Sequence, residues 1–592
     1  MTLNILNKIN EPKDLKSLSR EELNLLSSEI RDVLIKRVST TGGHFGPNLG
    51  MVEATIALHY VFNSPVDKFV YDVSHQSYVH KMLTGRKEAY INPEKFKTVT
   101  GYTEPKESEH DFFTIGHTST SISLACGLAK GRDAVGSNEN IIAIIGDGSL
   151  SGGEAYEGLN NAAASNKNII ILVNDNDISI AKNHGGLYKN LAQLRESEGK
   201  LDNNFFKSLG FEYHFVKDGN NLESLIETFE KVKDTTRPVV VHMHTIKGKG
   251  YEDAENNKES FHWVMPFDLE TKEPLFKGEY VKSYGDITED FLIEKAKKDK
   301  SIVAITAATP GIVGVNRFRS ELQDQYVDVG IAEEHAIALA SGMAKRGAKP
   351  VAAFLSSFIQ RTYDQLSQDL AINNNPATIM VYWGGISGSD VTHLGLFDIP
   401  LISNIPNMVY LAPTTKEEHL AMVDWAIEQD KHPVAIRVPN MEVVSTGAAV
   451  EANFDELNKY VMVEEGKDVA IIGLGSFFHL GKKVQERLRN TGINATLINP
   501  RFITGVDEDL LNELKENHKV VITLEDGILD GGFGEKISRF YGNSQMRVLN
   551  FGATKEFTDS VELDVLYERY HLTEELIVED IEKVLADIKV FA

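Results

Sequence analysis

The residues best suited to chemistry fall in two short segments in the first third of the chain, Gly146-Asp147-Gly148 and Asn174-Asp175-Asn176. Asp147 offers a carboxylate oxygen and Asn176 an amide oxygen. These are hard donors of the kind Mg²⁺ takes while keeping positions open for diphosphate oxygens and water. The glycines flanking Asp147 let backbone N–H groups approach phosphate without a Cβ in the way. Alone, Gly-Asp-Gly is as readily a plain turn, and Asn-Asp-Asn a plain loop. Their setting is more specific. Each follows a short apolar run, Ile141–Ile145 or Ile169–Val173, with a helix-like stretch around Glu154–Ala164 between, and Asp147 and Asn176 stand 29 positions apart. Loops at the carboxyl ends of neighbouring parallel strands are where open α/β sheets bind ligands.

Two further groups could carry chemistry. Glu333-Glu334-His335 falls in a helix expected to begin at Ala332, and such a run is odd on a plain amphipathic helix. If shielded from water, Glu333 would have a raised pKa. His44 and His75 stand beside glycine or a small residue, in loops rather than on an apolar helical face. An imidazole so placed can donate to a developing alkoxide or shuttle a proton. A structural role is nearly as plausible for any one of them.

The elements that position these residues follow from patterning. Ser19-Arg20-Glu21-Glu22 has capping-box spacing. Leu23, Leu26, Ile30, Val33 and Leu34 then recur at helical intervals up to Gly42-Gly43. Short apolar runs alternate with helix-like stretches: Ile141–Ile145, Ile169–Val173, Pro238–Met243; Ile302–Ile305, Val351–Phe354, Thr378–Tyr382, Val434–Val438; Val469–Ile472, Ala495–Ile498, Val520–Leu524, Val548–Phe551. Strands apolar on both faces indicate α/β architecture with mainly parallel sheets flanked by helices. At 592 residues the chain exceeds one ordinary core. Softer stretches at Lys272–Asp286 and Glu451–Lys467 suggest three domains, at 1–280, 281–450 and 455–592. Gly473-Leu474-Gly475 lacks the third glycine of a dinucleotide fingerprint and reads as a structural turn in a dimerisation domain.

A net charge of −25 argues against nonspecific nucleic-acid or anionic-membrane binding. No window approaches the ~20 apolar residues that span a bilayer. The first residues lack the pattern of a signal peptide. One cysteine, Cys126, suits a reducing, cytoplasmic setting.

Several segments, in order, resemble the 1-deoxy-D-xylulose-5-phosphate synthase family of the transketolase superfamily. They are Gly42-Gly43-His44-Phe45, Tyr71-Asp72-Val73-Ser74-His75-Gln76, Gly116–Ser123, Gly146–Glu157, Asn174–Ser179, Lys247-Gly248-Lys249-Gly250-Tyr251 and Phe261-His262. Ile331–Ala336, Phe358–Gln365, Thr392-His393 and Ile436-Arg437-Val438-Pro439 follow. The resemblance implies a thiamine-diphosphate-binding, transketolase-like fold, with the cofactor between the first two domains of a homodimer. It implies decarboxylation of pyruvate and ligation of the two-carbon unit to glyceraldehyde 3-phosphate or a related aldehyde, a step in isoprene biosynthesis. Asp147, Asn176 and the Ile178 carbonyl would hold Mg²⁺. Gly146, Gly148, Ser119 and Lys247 would line the cofactor, Phe358 would stack on its pyrimidine, and Glu333 would hydrogen-bond that ring. His44, His75, His262 and His393 would line the substrate channel, and Arg361 and Arg437 would attract anionic groups.

The departures cluster at the acceptor end. The family usually places an arginine where this chain has Trp383, and a tyrosine where it has Leu355. Asp-Gly-Gln-Thr-His is shortened to Asp390-Val391-Thr392-His393, and Asp-Gly-His becomes Asp218-Gly219-Asn220. The stretch from Ser179 to Phe211 is short, which suggests loss of a mobile lid. Replacing a cation by indole removes a charge-assisted hydrogen bond worth about 1.5–3 kcal/mol, so weak binding of glyceraldehyde 3-phosphate, or another aldehyde, is expected. Two other readings stay open: a ketol transferase, which releases no carbon dioxide, and a catalytically idle cofactor-binding protein.

Overall fold

The computed structural model describes residues 3–165, 167–276, 278, 281–450 and 453–591, with side chains to residue 588. The chain forms two compact units, Met1–Glu279 with Gly330–Ala332, and Tyr280–Val329 with Glu333–Ala592.

In the first unit, α1 (Arg20–Thr41) begins with the expected capping box. Ser19 Oγ accepts from Glu22 N at 3.2 Å, and Glu22 Oε2 accepts from Ser19 N at 2.9 Å. It stops at Gly42, whose φ of 73° suits glycine. The sheet comprises β1 (Lys68–Tyr71), β2 (Ile141–Gly146), β3 (Ile170–Asp175), β4 (Glu212–Val216) and β5 (Val239–His244), in the order β1-β2-β3-β5-β4 and entirely parallel. Two hydrophobic clusters hold alternate residues of β2 and β3: Ile142 and Ile144 in one, Ile141, Ala143 and Ile145 in the other. Both faces of the sheet are therefore covered, and apolar residues run without alternation. Ser121–Val135 and Gly153–Ala164 are helices packed on one another. A two-residue antiparallel ladder pairs Gly43–His44 with Trp263–Val264.

The second unit carries two sheets. The first has β6 (Ile302–Thr306), β7 (Tyr326–Asp328), β8 (Lys349–Leu355), β9 (Thr378–Tyr382), β10 (Val409–Leu411) and β11 (Val434–Arg437), in the parallel order β10-β11-β9-β8-β6-β7. The second has β12 (Val461–Glu464), β13 (Asp468–Gly473), β14 (Thr496–Asn499), β15 (His518–Ile528) and β16 (Arg547–Ala553), in the order β12-β14-β13-β15-β16, with only β12 antiparallel. The stretches expected as separate second and third domains share one compact unit. A single cluster joins Ile305, Ala352 and Ile379 to Ala470, Val521 and Phe533, so neither sheet buries its apolar surface alone. Among the described residues no helix is long and apolar enough to cross a membrane.

Candidate active site

In the first unit, register pairs Gly146 with Asn174, so the loops after β2 and β3 leave the sheet side by side. Asp147 and Asn176 are both buried. Asn183 Nδ2 donates to Asp147 Oδ2 at 2.7 Å, whereas Asn176 Oδ1 has no hydrogen-bond partner among the described residues. Burial, and after it the charge of Asp175, push the Asp147 carboxyl up to about 8, with Lys247 opposing. A buried carboxyl on one loop and an unsatisfied amide oxygen on the next are donor types that a hard divalent cation takes. A Cβ on Gly148 would lie 2.4 Å from Ser179 Cβ, so that loop demands glycine. A Cβ on Gly146 would meet nothing within 4 Å, which leaves open space at the strand end for a phosphate. Asp175 is turned to structural work, bonded to His242 Nε2 at 2.8 Å and to Arg195 Nη1 at 2.7 Å. Ile178, one of the expected metal ligands, forms an isolated bridge with Lys182 just after Asp177, whose φ is 65°.

Ser119, expected at the cofactor, has a φ of 75° and donates its hydroxyl to Ser149 O at 2.8 Å. Its backbone N–H and that of Ser121 both donate to the buried carboxylate of Asp72, at 2.8 and 3.0 Å. Asp72 holds this loop in shape. It lies in the segment Tyr71–Gln76, yet an acidic residue after a short edge strand carries no sequence cue to that task. The stretch after Ser179, where a lost lid was expected, packs back on the candidate site. It forms the helix Gly186–Glu196, and Asn183, Tyr188 and Arg195 reach back to Asp147, to the carbonyls of residues 147 and 148, and to Asp175.

Three of the predicted histidines converge. The rings of His44 and His75 are 4.8 Å apart, those of His44 and His262 5.5 Å, and those of His75 and His262 5.3 Å. The Gly43–His44 ladder places His44 beside Trp263 and hence next to His262. Asn48 Nδ2 donates to the carbonyls of both His44 and His75 at 2.8 Å. Lys247 Nζ lies 2.6 Å from Ser179 O and 3.1 Å from His262 Nδ1. Burial lowers Lys247 to about 7. Burial first, then the Lys247 charge, hold His262 well below the usual imidazole range and therefore neutral.

In the second unit, Glu333 opens the helix Glu333–Lys345 and is 4% exposed, unlike an ordinary surface glutamate. Burial raises its carboxyl, with Arg361 opposing. Among the described residues Glu333 Oε2 has no hydrogen-bond partner, and Arg361 Nη1 stands 3.6 Å away as an ion-pair partner. That orphaned buried oxygen fits a polar ring nitrogen of a ligand. Phe358, in the short turn after β8, meets His393 edge to face at 5.6 Å. His393 Nδ1 lies 2.9 Å from Thr392 Oγ1 and 3.3 Å from Asp390 Oδ1. Against the burial that would raise it, His393 and Thr392 hold the Asp390 carboxyl below its usual range. Asp390, which the shortened motif left unassigned, thus orients His393.

Arg437, expected to attract an anionic substrate group, is engaged otherwise. Its Nε donates to Asp398 Oδ2 at 2.6 Å, and Nη1 contacts Asp526 Oδ1. Tyr410 OH and Ser356 Oγ also donate to Asp398, and Ser476 Oγ donates to Asp526. A phosphate at Arg437 would compete with two carboxylates already in contact. Trp383 follows β9 with a φ of 58° and is 55% exposed, while Leu355 is core.

The family model described as 1-deoxy-D-xylulose-5-phosphate synthase matches residues 6–202 and 198–245. Those described as the transketolase pyrimidine binding domain and C-terminal domain match residues 282–444 and 458–577. The chain is 39% identical to the 1-deoxy-D-xylulose-5-phosphate synthase of Halothermothrix orenii, across 97% of this chain and 96% of that protein. Its identity to the namesake of Caldanaerobacter subterraneus is 39%, across 98% of each, and to that of Clostridium tetani 38%, across 98% of this chain and 100% of the other.

Proposed function

The chain belongs to the 1-deoxy-D-xylulose-5-phosphate synthase family, and from that premise we propose a transketolase-type transferase that binds thiamine diphosphate with Mg²⁺. It decarboxylates pyruvate and joins the two-carbon unit to glyceraldehyde 3-phosphate or a related aldehyde, as a cytoplasmic homodimer serving isoprene biosynthesis. The observation that carries this reading is Glu333, an acid removed from water whose Oε2 is left without a close hydrogen bond beside Arg361.

When bound, thiamine diphosphate supplies the electron sink for loss of carbon dioxide and the nucleophilic carbon for the new bond. The protein's part is to bind, orient and move protons. The Asp147 and Asn176 side chains and the Ile178 carbonyl would hold the metal ion. Gly146 and Gly148 keep side chains clear of the phosphates, Ser119 and Lys247 complete the lining, and Phe358 offers a face to the pyrimidine. Glu333, with its carboxyl raised by burial, is suited to share a proton with a ring nitrogen. His262 stays neutral, and with Nδ1 facing Lys247 it can donate a hydrogen bond from Nε2 beside His44 and His75. His393, oriented by Asp390, can serve the same end. Arg361 supplies a positive charge for a carboxylate.

The test is direct. Purified protein with thiamine diphosphate and Mg²⁺ is given pyruvate and a panel of aldehydes, and released carbon dioxide and product mass are followed. Failure to take up the cofactor, or product formed without carbon dioxide, refutes the proposal.

A further inference from the structure

The loop that carries His393 is built into the core of the C-terminal sheet domain. It is closed at its base by Gly385 and Gly395, where Gly385 N donates to Gly395 O at 2.7 Å. A Cβ on Gly395 would fall 2.1 Å from Trp383 O, so the closure needs that glycine. Three apolar side chains of the loop, Ile386, Leu394 and Leu396, are almost wholly buried. They belong to the same cluster as Ile528, Leu566 and Tyr570 of the C-terminal domain.

The backbone is tied to the same domain at both ends of the loop. Near the base, Ile528 N donates to Leu396 O at 3.2 Å. At the tip, Ser560 N donates to Ser389 O at 2.9 Å, and Val391 N donates to Asp559 Oδ1 at 3.2 Å. A Cβ on Gly388 would lie 2.8 Å from Val561 O, which shows how closely the two backbones approach. The tip residues on either side of Asp390 are thus fixed from outside, while Asp390 itself holds His393.

We propose that the C-terminal domain sets the position of His393, with Asp559 as the positioning residue that pins the loop tip through the Val391 amide. The inference rests on the role given above to His393, but the attachment of the loop can be read without turnover. Asp559 is exposed, so its substitution spares the core.

Asp559→Ala and Asp559→Asn are compared with the unaltered full-length protein, loaded with thiamine diphosphate and Mg²⁺, by amide hydrogen exchange and steady-state kinetics. The alanine variant loses the acceptor. Its exchange over residues 387–393 should rise about fivefold, the factor set by one net hydrogen bond. Its kcat should fall several-fold, with pyruvate KM and the thermal midpoint unchanged. The asparagine variant keeps an acceptor oxygen and should restore both. Unchanged exchange in the alanine variant overturns the proposal. So does faster exchange with unaltered kcat, or an asparagine variant no better than alanine. If the unaltered protein shows no turnover, the function proposed above falls, and the exchange result alone decides this one.

Discussion

Arg437 allows a prediction whose magnitude follows from charge counting. One guanidinium faces two carboxylates, Asp398 and Asp526, at a buried site. Removing one member of a buried pair typically costs about 3–5 kcal/mol, because the other charge is left uncompensated. The three members differ here. Asp526→Asn leaves Arg437 paired with Asp398 and balanced, so the loss should be the smallest, about 1.5–3 kcal/mol, that of a charged hydrogen bond. Asp398→Asn is worse. Asp398 accepts from Arg437, Tyr410 and Ser356 together, and an amide has one acceptor oxygen for those donors. It should cost about 3–5 kcal/mol. Arg437→Met leaves two carboxylates with no cation between them and should cost at least as much. Urea unfolding followed by fluorescence, with midpoints compared at constant m, ranks the three. An Asp526→Asn loss equal to that of Arg437→Met would refute the reasoning. So would an Arg437→Met variant as stable as the parent, which would mean that this guanidinium is held for a ligand rather than for the fold.

Glu333→Gln should lower kcat by about 10²–10⁴, the usual worth of a positioned acid–base group, while calorimetry shows cofactor still bound; retained turnover would remove Glu333 from the mechanism. Glu525, a buried residue of β15 that accepts from the amides of Phe533 and Gly534, is raised by burial to about 7. Between its ordinary range and about 7 the folded chain binds the extra proton, so stability is full below that window and falls as pH rises through it. The loss is at most about 3 kcal/mol. Glu525→Gln should flatten this slope in urea titrations at stepped pH, and an unchanged slope would assign it elsewhere. Steady-state kinetics with glyceraldehyde 3-phosphate should give a KM well above micromolar, since Arg437 is already paired and Trp383 brings no cation. An uncharged aldehyde of similar size should do no worse, and a micromolar KM would show that another cation serves the phosphate.

Interior strands were legible in the sequence, and of the edge strands only β16 was, as the run Val548–Phe551. β2, β3, β5, β9 and β13 appear as apolar runs because helices cover both of their faces. The unforeseen strands, β1, β4, β7, β10 and β12, are all sheet edges of three to five residues. β4 shows the reason most clearly, since Glu212 and His214 break any continuous apolar signal, while β12 offers only the three apolar residues Val461–Val463. At the site, residues with a chemical signature were readable: Asp147 and Asn176 by ligand type, Glu333 by its setting in an acidic run. Residues that only hold others were not. Asp72, Asn183 and Asp398 act through distant chain segments, and no local pattern encodes a partner 36 or more positions away.

Asn48 has a consequence of its own. Its Nδ2 carries both hydrogen bonds to the His44 and His75 carbonyls, while its Oδ1 accepts from Tyr78 N at 3.0 Å. Aspartate there would match it in size and still serve Tyr78, yet would set an anionic oxygen against two carbonyl oxygens and drive the strands apart. Two imidazoles on separate loops therefore share one hinge pin, and neither can drift without carrying the other along.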